Sequence, residues 1–465
     1  MSQTGAMTLA LGIDLGSTTT KVALVDVARA EVRRIGRVPT PDGVGELLDA
    51  VAELVRGCLA EAPGPVAAIG IASMAETGAP ADADGRALLP LQRWDRTVRS
   101  EHLERVLAEV TDLPHRTGLP ATPKPPLVTL RRLREDDPDT FSRIARWQGV
   151  ADLVAHALTG AHATDHTLAA RTMLIERGAV TWSDELLAAA GIAGHVLPAV
   201  RAPGERAGRT DGRAATFGLA SGIPVHIAGH DHAVGAWAAG VRRPGDVADS
   251  LGTAEAVLTV TQDAEASAVD DGFSIGRTVD GRHDTIMGGS PACGSLLADW
   301  PGAIVDRLAA EDPARWVTSE AVVLPYPRGR QCPSPDPAAQ QRIVGSPVSE
   351  GDLARGVLQS LVLHARWMRR AMAGHSRRQP DRVVMLGSLA ARIRAWAPLA
   401  AAADEADFDR CLAAEPVAAG AALLAAAREG VADDDRPLAT TAVTPADAPG
   451  IDAAYERFVA AALSA

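Results

Sequence analysis

The chain has 465 residues, enough for two or three domains with a large buried core. Its formal net charge of −12 argues against nucleic acid or an anionic membrane surface as the main partner, and neither a signal peptide nor a membrane-spanning apolar stretch is evident. The cysteines lie far apart without a CxxC pair, so we expect buried thiols in a reducing, cytoplasmic compartment.

The N-terminal segment predicts a β-hairpin with a polar turn. Two apolar runs, Leu9 to Ile13 and Val22 to Val27, flank Asp14, the turn Gly16-Ser17-Thr18 and Lys21. The backbone N–H groups, hydroxyls, carboxylate and ammonium of this segment can hold a magnesium-bound polyphosphate. It is not a Walker loop, because its lysine leads into a strand instead of a helix. We interpret Asp14 as an oxygen ligand of Mg²⁺ through water, and the alternative is an aspartate that caps local N–H groups.

The pattern after this hairpin predicts a mixed α/β domain. Glu31 to Val38 is expected to form a third strand, Gly43 to Ala60 a helix, and Val66 to Ile71 a short buried strand. Three strands, a helix and a further strand are typical of the start of an α/β domain with a mixed sheet. The proline-rich residues 120–126 are expected to form a connector, and Trp147 to Leu158 a helix.

Two acidic residues follow the short buried strand. Glu76 lies soon after it, and Asp95 lies beyond a hairpin turn predicted at Asp82-Ala83-Asp84-Gly85. We expect the two carboxylates to converge near one end of the sheet, where they can accept hydrogen bonds from the adjacent hydroxyls of a polyol. The alternative for both is a solvated or ion-paired acid, with Arg93 and Arg96 as nearby partners.

A histidine-rich stretch surrounds a further aspartate. Asp231 follows the predicted strand Val225 to Ala228 and precedes an Ala- and Gly-rich helix start. That position suits either a general base that accepts the proton of an attacking hydroxyl, or a helix N-cap. His226, His230 and His232 do not predict a metal site, because no cysteine or acidic signature completes a zinc motif. His232 is instead a candidate for contact with the substrate.

The second half of the chain begins with a repeat of the opening pattern. Leu251-Gly252-Thr253 aligns with Leu15-Gly16-Ser17, and Ser250 takes the place of Asp14. Two related hairpins predict two α/β domains of similar design that face a shared cleft. Chance similarity over so short a stretch is the alternative.

A third glycine turn follows later. Arg382 to Leu386 is expected to form a strand, Gly387-Ser388 a turn, and Leu389 to Ala402 one helix. Each of the three glycine turns follows a predicted strand, and they are divided between the two halves. Donors from both halves can therefore clamp a polyphosphate.

Taken in order, these motifs resemble the FGGY family of carbohydrate kinases, which have the actin-like (ribonuclease H-like) ATPase fold. The resembling segments span most of the chain: Leu11–Lys21, Ile69–Gly85, Ala228–Ala236, Pro244–Thr253, Leu324–Pro333, Met385–Trp396 and Glu415–Ala422. The resemblance implies two ribonuclease H-like α/β domains around a central cleft. Residues 1–240 would carry the substrate site and the first phosphate loop, and residues 241–430 the second phosphate loop and the adenosine site. Residues 431–465 would form an acidic connector and a C-terminal helix.

The resemblance also implies an activity: ATP- and Mg²⁺-dependent phosphorylation of a hydroxyl of a small sugar or polyol, with domain closure. Asp231 would be the base and Asp14 would hold magnesium-bound water. The three glycine turns and Lys21 would bind the nucleotide, while Glu76, Asp95, Asp231 and His232 would bind the substrate. The expected partner is a small molecule, and a homodimer is left open.

Two departures from the family keep other functions open. Ser388 stands where the family usually has a second glycine, and Ala75 stands where glycerol kinases have an arginine before Glu76-Thr77. The known substrate codes therefore do not transfer to this chain. One alternative is an actin-like ATPase that acts on a protein partner. The other is a degenerate member that binds sugar or nucleotide without turnover.

Overall fold

The computed structural model describes residues 8–96, 100–300, 304–433 and 436–464. In chain order, strands β1 to β19 are Leu9–Leu15, Thr19–Asp26, Glu31–Pro39, Val66–Ser73, Gly78–Ala81, Arg146–Gly149, Ala163–Asp165, Ala199–Arg201, Gly208–Arg209, Pro224–His230, Asp246–Leu251, Glu255–Thr261, Ser274–Arg277, Asp284–Ser290, Val322–Leu324, Arg342–Val344, Arg382–Leu386, Asp407–Cys411 and Thr440–Ala442. Helices α1 to α16 are Val44–Glu61, Glu101–Glu109, Leu113–Thr117, Pro126–Asp136, Pro138–Ser142, Val150–Thr159, His166–Ala169, Asp184–Ala190, Asp231–Ala238, Gly294–Asp299, Ile304–Ala309, Glu350–Ser376, Ser388–Arg392, Trp396–Ala402, Pro416–Arg428 and Ile451–Leu463.

The chain divides into two compact units, and each is discontinuous in sequence. The first contains the described residues of 1–240 together with 276–282 and 415–438. The second contains those of 241–275, 283–414 and 439–465. The chain passes from the first unit to the second after Gly240 and returns to the first unit at Glu415, before the limit of 430 expected for the second domain.

The first unit is built on a six-stranded sheet with the order β3-β2-β1-β4-β10-β9. Strand β1 pairs antiparallel with β2, so that Asp14 lies opposite Lys21. It pairs parallel with β4 on its other side, and β4 pairs parallel with β10. The carboxyl ends of β1, β4 and β10 therefore share one edge of the sheet, which is where ligands bind in open α/β sheets. Asp14 and Asp231 both lie at this edge.

Helix α15 belongs to the first unit because two glycines let it pack closely on the sheet. A Cβ at Gly12 in β1 would lie 1.8 Å from the carbonyl oxygen of Ala418. A Cβ at Gly70 in β4 would lie 1.9 Å from that of Ala421. The backbone of the helix thus rests on glycine backbone of the two strands, and this long-range contact is why the 241–430 segment does not form one unit.

The second unit repeats the plan of the first. Its seven-stranded sheet has the order β13-β14-β12-β11-β17-β18-β19. Strand β11 pairs antiparallel with β12 and parallel with β17, as β1 pairs with β2 and β4. The prediction of two α/β domains that open on related hairpins is confirmed.

Two predicted helices have different limits in the structure. The segment 389–402 forms two short helices, α13 and α14, instead of one. Residues Arg146–Gly149 pair with β5 as strand β6, so helix α6 begins at Val150 and not at Trp147.

All four cysteines are free and buried, as expected. Among the described residues, no helix is long and apolar enough to span a membrane.

Candidate active site

The first hairpin places Asp14 and Lys21 in direct contact. Lys21 Nζ lies 3.1 Å from Asp14 Oδ2 and 3.2 Å from Glu415 Oε2. Burial raises the pKa of Asp14 to about 6, although the Lys21 ammonium acts to lower it. Burial acts to lower the pKa of Lys21, but the carboxylates of Asp14 and Glu415 outweigh it and raise that pKa. The ammonium is therefore held between two carboxylates, and the nucleotide contact expected for Lys21 stays a prediction.

The turn of this hairpin presents backbone donors. The Gly16 N–H donates to Thr19 O at 3.2 Å, and Thr40 Oγ1 donates to Gly16 O at 2.7 Å. Within the described part of the chain, the N–H groups of Ser17 and Thr18 have no protein acceptor. A turn that is closed by its own hydrogen bonds and directs free N–H groups outward is suited to an anionic oxygen.

Asp231 lies at the same sheet edge, two strands away from Asp14. It is the first residue of α9, and His230 occupies the N-cap position that the sequence had offered as an alternative role for Asp231. Asp231 Oδ1 accepts a hydrogen bond from the His232 N–H at 2.7 Å, and its side chain is 21% exposed. The charge of Asp231 contributes to the raised pKa of Asp14, so the two carboxylates sense each other electrostatically.

The backbone before Asp231 is held in one conformation by Thr167. Thr167 Oγ1 accepts a hydrogen bond from the His230 N–H at 2.8 Å and donates one to Asp165 Oδ1 at 2.5 Å. Gly229 has a φ of +130°, and a Cβ there would lie 2.5 Å from Thr167 Oγ1. This position therefore requires glycine. Burial lowers the pKa of His230 to about 3, so its imidazole is neutral at neutral pH.

The three histidines of this region separate into two environments. His226 Nε2 lies 2.7 Å from Glu429 Oε1, within an ion-pair group that also contains Arg206. His230 Nε2 lies 3.2 Å from Asp231 Oδ1, and His232 Nε2 lies 3.9 Å from the same oxygen. The predicted substrate contact His232 is thus beside Asp231, as its position in the sequence requires.

Glu76 is held by a partner that comes from another part of the chain. Arg171 Nη2 lies 2.5 Å from Glu76 Oε1, and the two side chains are 15% and 9% exposed. Glu76 has a φ of +61°, a left-handed conformation that is uncommon for a residue with a side chain. Strain of this kind is characteristic of functional sites when the surroundings enforce it. In the structure Glu76 is ion-paired, which was the alternative to a role in binding a polyol. Its partner is Arg171 and not Arg93 or Arg96.

Asp95 is connected to the turn of the first hairpin through Arg93. Arg93 Nε and Nη2 lie 2.9 and 2.7 Å from the two carboxylate oxygens of Asp95, and Nη2 also donates to Ser17 O at 2.5 Å. The hydrogen bonds from Arg93 lower the pKa of Asp95. The Trp94 N–H donates to Thr77 Oγ1 at 3.2 Å and so connects this segment to the Glu76 loop.

In the second unit, the turns at Gly252 and Gly387 adjoin each other. Strands β11 and β17 are parallel neighbours, so their carboxyl ends lie side by side. Gly387 has a φ of +98°, and a Cβ there would lie 2.2 Å from Leu251 O. Ser388 is the first residue of α13, so the glycine alone takes the left-handed conformation. Gly252, Thr253 and Ser388 are exposed, as an accessible binding turn requires.

The surroundings of Asp14 fit a magnesium ion. Carboxylate oxygens are the ligands that Mg²⁺ prefers, and the ion usually keeps several waters. The negative charges of Asp14 and Asp231 oppose each other, and a divalent cation at Asp14 would relieve that repulsion. The donor chemistry therefore agrees with the role expected for Asp14.

Sequence reasoning gave no site role to three residues that shape this region: Arg171, Thr167 and Glu415. Arg171 is 95 positions from Glu76 in the chain, so no local pattern connects them. The signal available for Thr167 is its spacing after Asp165, since an aspartate two residues before a threonine commonly caps a helix start. Glu415 could be recognised only once α15 was placed on the first sheet.

Both halves of the chain match one family. Residues 9–238 match the N-terminal domain and residues 247–429 the C-terminal domain of the FGGY family of carbohydrate kinases. The L-fuculokinase of Haemophilus influenzae is 29% identical over 205 residues, which are 43% of this chain and 43% of that protein. The xylulose kinase of Streptomyces rubiginosus is 28% identical over 340 residues, 70% of this chain and 68% of that protein. The chain spans about half the length of the L-fuculokinases that it matches.

Solved structures share the fold over nearly the whole length of this chain. The xylulose kinase of Rhodospirillum rubrum superposes with a TM-score of 0.85 at 24% identity and covers 98% of both chains. This likeness shows the actin-like ATPase fold that the sequence predicted. With both domain types of the family matched in order, the chain belongs to the FGGY family of carbohydrate kinases.

Proposed function

We propose that this protein transfers the γ-phosphoryl group of ATP to a hydroxyl of a small sugar or polyol. The observation that carries the proposal is the position of Asp231, partly exposed at the sheet edge that also carries Asp14 and the turn with free N–H groups at Ser17 and Thr18. A base and a phosphate-binding turn at one edge are what hydroxyl phosphorylation needs.

In this mechanism Asp231 accepts the proton of the acceptor hydroxyl while the oxygen of that hydroxyl attacks the γ-phosphorus. The bond between the γ-phosphorus and the bridging oxygen breaks, and ADP leaves. Positioning contributes most of the rate in such transfers, because the transition state needs alignment and charge neutralisation more than covalent help. The fixed backbone at Gly229 and Thr167 supports this, since it orients the carboxylate before substrate arrives.

Asp14 would hold Mg²⁺, and that ion neutralises charge on the phosphates when bound. The turns at Gly16-Ser17-Thr18, Gly252-Thr253 and Gly387-Ser388 would bind the nucleotide through backbone N–H groups and hydroxyls. Lys21 would act mainly by holding Asp14 in place, because its ammonium contacts that carboxylate and Glu415. Closure of the two domains over the substrate, as expected for the family, would exclude water from the γ-phosphoryl group.

The acceptor would be bound by Glu76, Asp95, Asp231 and His232. The relatives are named fuculokinase, xylulose kinase and glycerol kinase, so a ketose or an alditol is the class of acceptor that we propose. Glycerol kinases have an arginine at the position of Ala75. In this chain Arg171 places a guanidinium beside Glu76 instead.

A screen of acceptors tests the proposal. Purified protein with ATP and Mg²⁺ is supplied separately with pentuloses, hexuloses, alditols and glycerol, and both ADP and phosphorylated product are measured. We expect ADP release that depends on one acceptor class, with one phosphorylated product per ADP. Rapid ADP release that is independent of every acceptor would favour an ATPase that acts on a protein partner. Tight binding of ATP without any product would favour a binding protein.

A further inference from the structure

His230, Asp231 and His232 bring three ligand atoms to one point. The two imidazole nitrogens and one carboxylate oxygen all lie within 4.8 Å of one another. His230 Nε2 is 3.2 Å and His232 Nε2 is 3.9 Å from Asp231 Oδ1. The two rings meet edge to face with centroids 5.3 Å apart. Within the described residues, no other three histidine, cysteine, aspartate or glutamate side chains bring their ligand atoms together in this way.

The chemistry of these ligands selects a particular class of cation. Two imidazoles and one carboxylate suit Zn²⁺, Co²⁺, Ni²⁺ and Cu²⁺, whereas Mg²⁺ favours sites made of oxygen atoms and water. Tetrahedral zinc with ligands at about 2.0–2.1 Å needs ligand atoms about 3.3 Å apart. The His230–Asp231 separation already matches that value. His232 would have to approach by a few tenths of an ångström or more, and its side chain, 35% exposed, has room to do so.

The His230 side of the site is held in place by the surrounding structure. His230 is buried, and its backbone is held by the hydrogen bond to Thr167 Oγ1. Gly229 before it is confined by contact with Thr167 and Asp165. His230 is therefore fixed, Asp231 follows it directly in the chain, and His232 lies at the accessible side. A metal site with one ligand held in advance loses less conformational entropy when the ion binds.

We propose that His230, Asp231 and His232 form a binding site for a transition-metal cation of the Zn²⁺ class. Such an ion would occupy the carboxylate oxygen of Asp231 and so compete with its use as a base. Zinc-class ions would then inhibit phosphoryl transfer even when Mg²⁺ is in large excess, because Mg²⁺ does not compete well for imidazole. The inhibition rests on the function proposed above, but the binding of the ion does not.

The test measures binding and inhibition separately. Zn²⁺ is titrated into the full-length protein without ATP, against a chromophoric chelator, and Co²⁺ is titrated to detect a visible ligand-field absorption band. The variant His232→Asn removes one ligand at an accessible position. His195→Asn, which removes an exposed histidine elsewhere, is the matched control. A third variant, His230→Gln, is compared after its fold has been checked by circular dichroism.

We expect one Zn²⁺ per wild-type chain and at least about a 10–100-fold weaker affinity in His232→Asn, with no change in His195→Asn. The Zn²⁺ concentration that halves each variant's own uninhibited rate should shift by the same factor. Stoichiometric binding that is lost in His232→Asn would support the site even if no acceptor is ever phosphorylated, in which case only the kinase proposal fails. Absence of binding to the wild type, or equal binding to His232→Asn, would overturn the inference whatever the activity.

Discussion

The residues at the edge of the first sheet carry charges in an environment that does not favour them. Asp14 is 3% exposed, and burial raises its pKa to about 6. Lys21 and Glu415 extend the group, and Asp231 lies at the same edge. Charged groups with shifted pKa values are characteristic of active sites. This edge is therefore less stable than an apolar alternative would be, which is typical of functional sites.

The raised pKa of Asp14 predicts a pH effect on stability. The native state holds the proton more tightly than the unfolded chain, so the contribution of Asp14 to stability is largest near pH 4 and is lost as the pH rises through about 6. Without Mg²⁺, Asp14→Asn should therefore gain stability relative to wild type by about 1.4 kcal/mol between pH 5 and pH 8. Chemical denaturation at both pH values measures this difference. A difference in stability that does not change between pH 5 and pH 8 would contradict the account.

The Glu76–Arg171 pair predicts an asymmetric response to mutation. Arg171→Met leaves a largely buried carboxylate unpaired and should destabilise the protein by about 3 kcal/mol, with a weaker affinity for the acceptor. The double variant that also carries Glu76→Gln should recover part of that loss. Denaturation and acceptor KM are the measurements. Arg96→Met, which breaks an exposed pair with Asp42, should change stability by less than about 1 kcal/mol. Equal effects of the two arginine variants would be evidence against a special role for Arg171.

Among the elements, helix α15 has the closest contact with the first sheet. Its backbone lies on Gly12 and Gly70, and Glu415 just before it reaches Lys21. The same segment thus supports the fold of the first unit and places a carboxylate against Lys21 of the first hairpin. The structure places this helix with β1 and β4, although it follows the whole second sheet in the chain except for the final strand β19.

This packing predicts opposite effects for two glycine substitutions. Gly70→Ala should destabilise the protein by about 2 kcal/mol or more, because the new Cβ would lie 1.9 Å from Ala421 O and the helix must move away. Gly57 lies on the exposed face of helix α1 with nothing within 4 Å of an added Cβ, so Gly57→Ala should stabilise the protein by up to about 1 kcal/mol. Melting temperatures of both variants provide the comparison. A neutral Gly70→Ala would mean that α15 does not rest on β4 as described.

At the scale of the whole molecule, the sequence predicted what depends on local pattern. Both hairpins, the strands β4, β10 and β17, and the final helix follow from apolar periodicity and glycine turns, and the structure has them. Contacts between distant segments could not be predicted from the sequence. Arg171 contacts Glu76, and α15 packs on β1, without any local pattern that indicates it. The roles of the site residues, a cytoplasmic location and a homodimer stay predictions.

The most direct test of the central claim is the turnover of Asp231→Asn with the acceptor found by the screen. Asparagine keeps the size of the side chain but cannot accept the hydroxyl proton, so kcat should fall by about 10²-fold or more. Affinity for ATP, measured by calorimetry, should stay within about twofold of wild type, since the turns that we propose to bind phosphate are unchanged. Asp84→Asn, in an exposed turn, should keep normal kcat. Near-normal turnover in Asp231→Asn, with ATP still bound, would contradict the account.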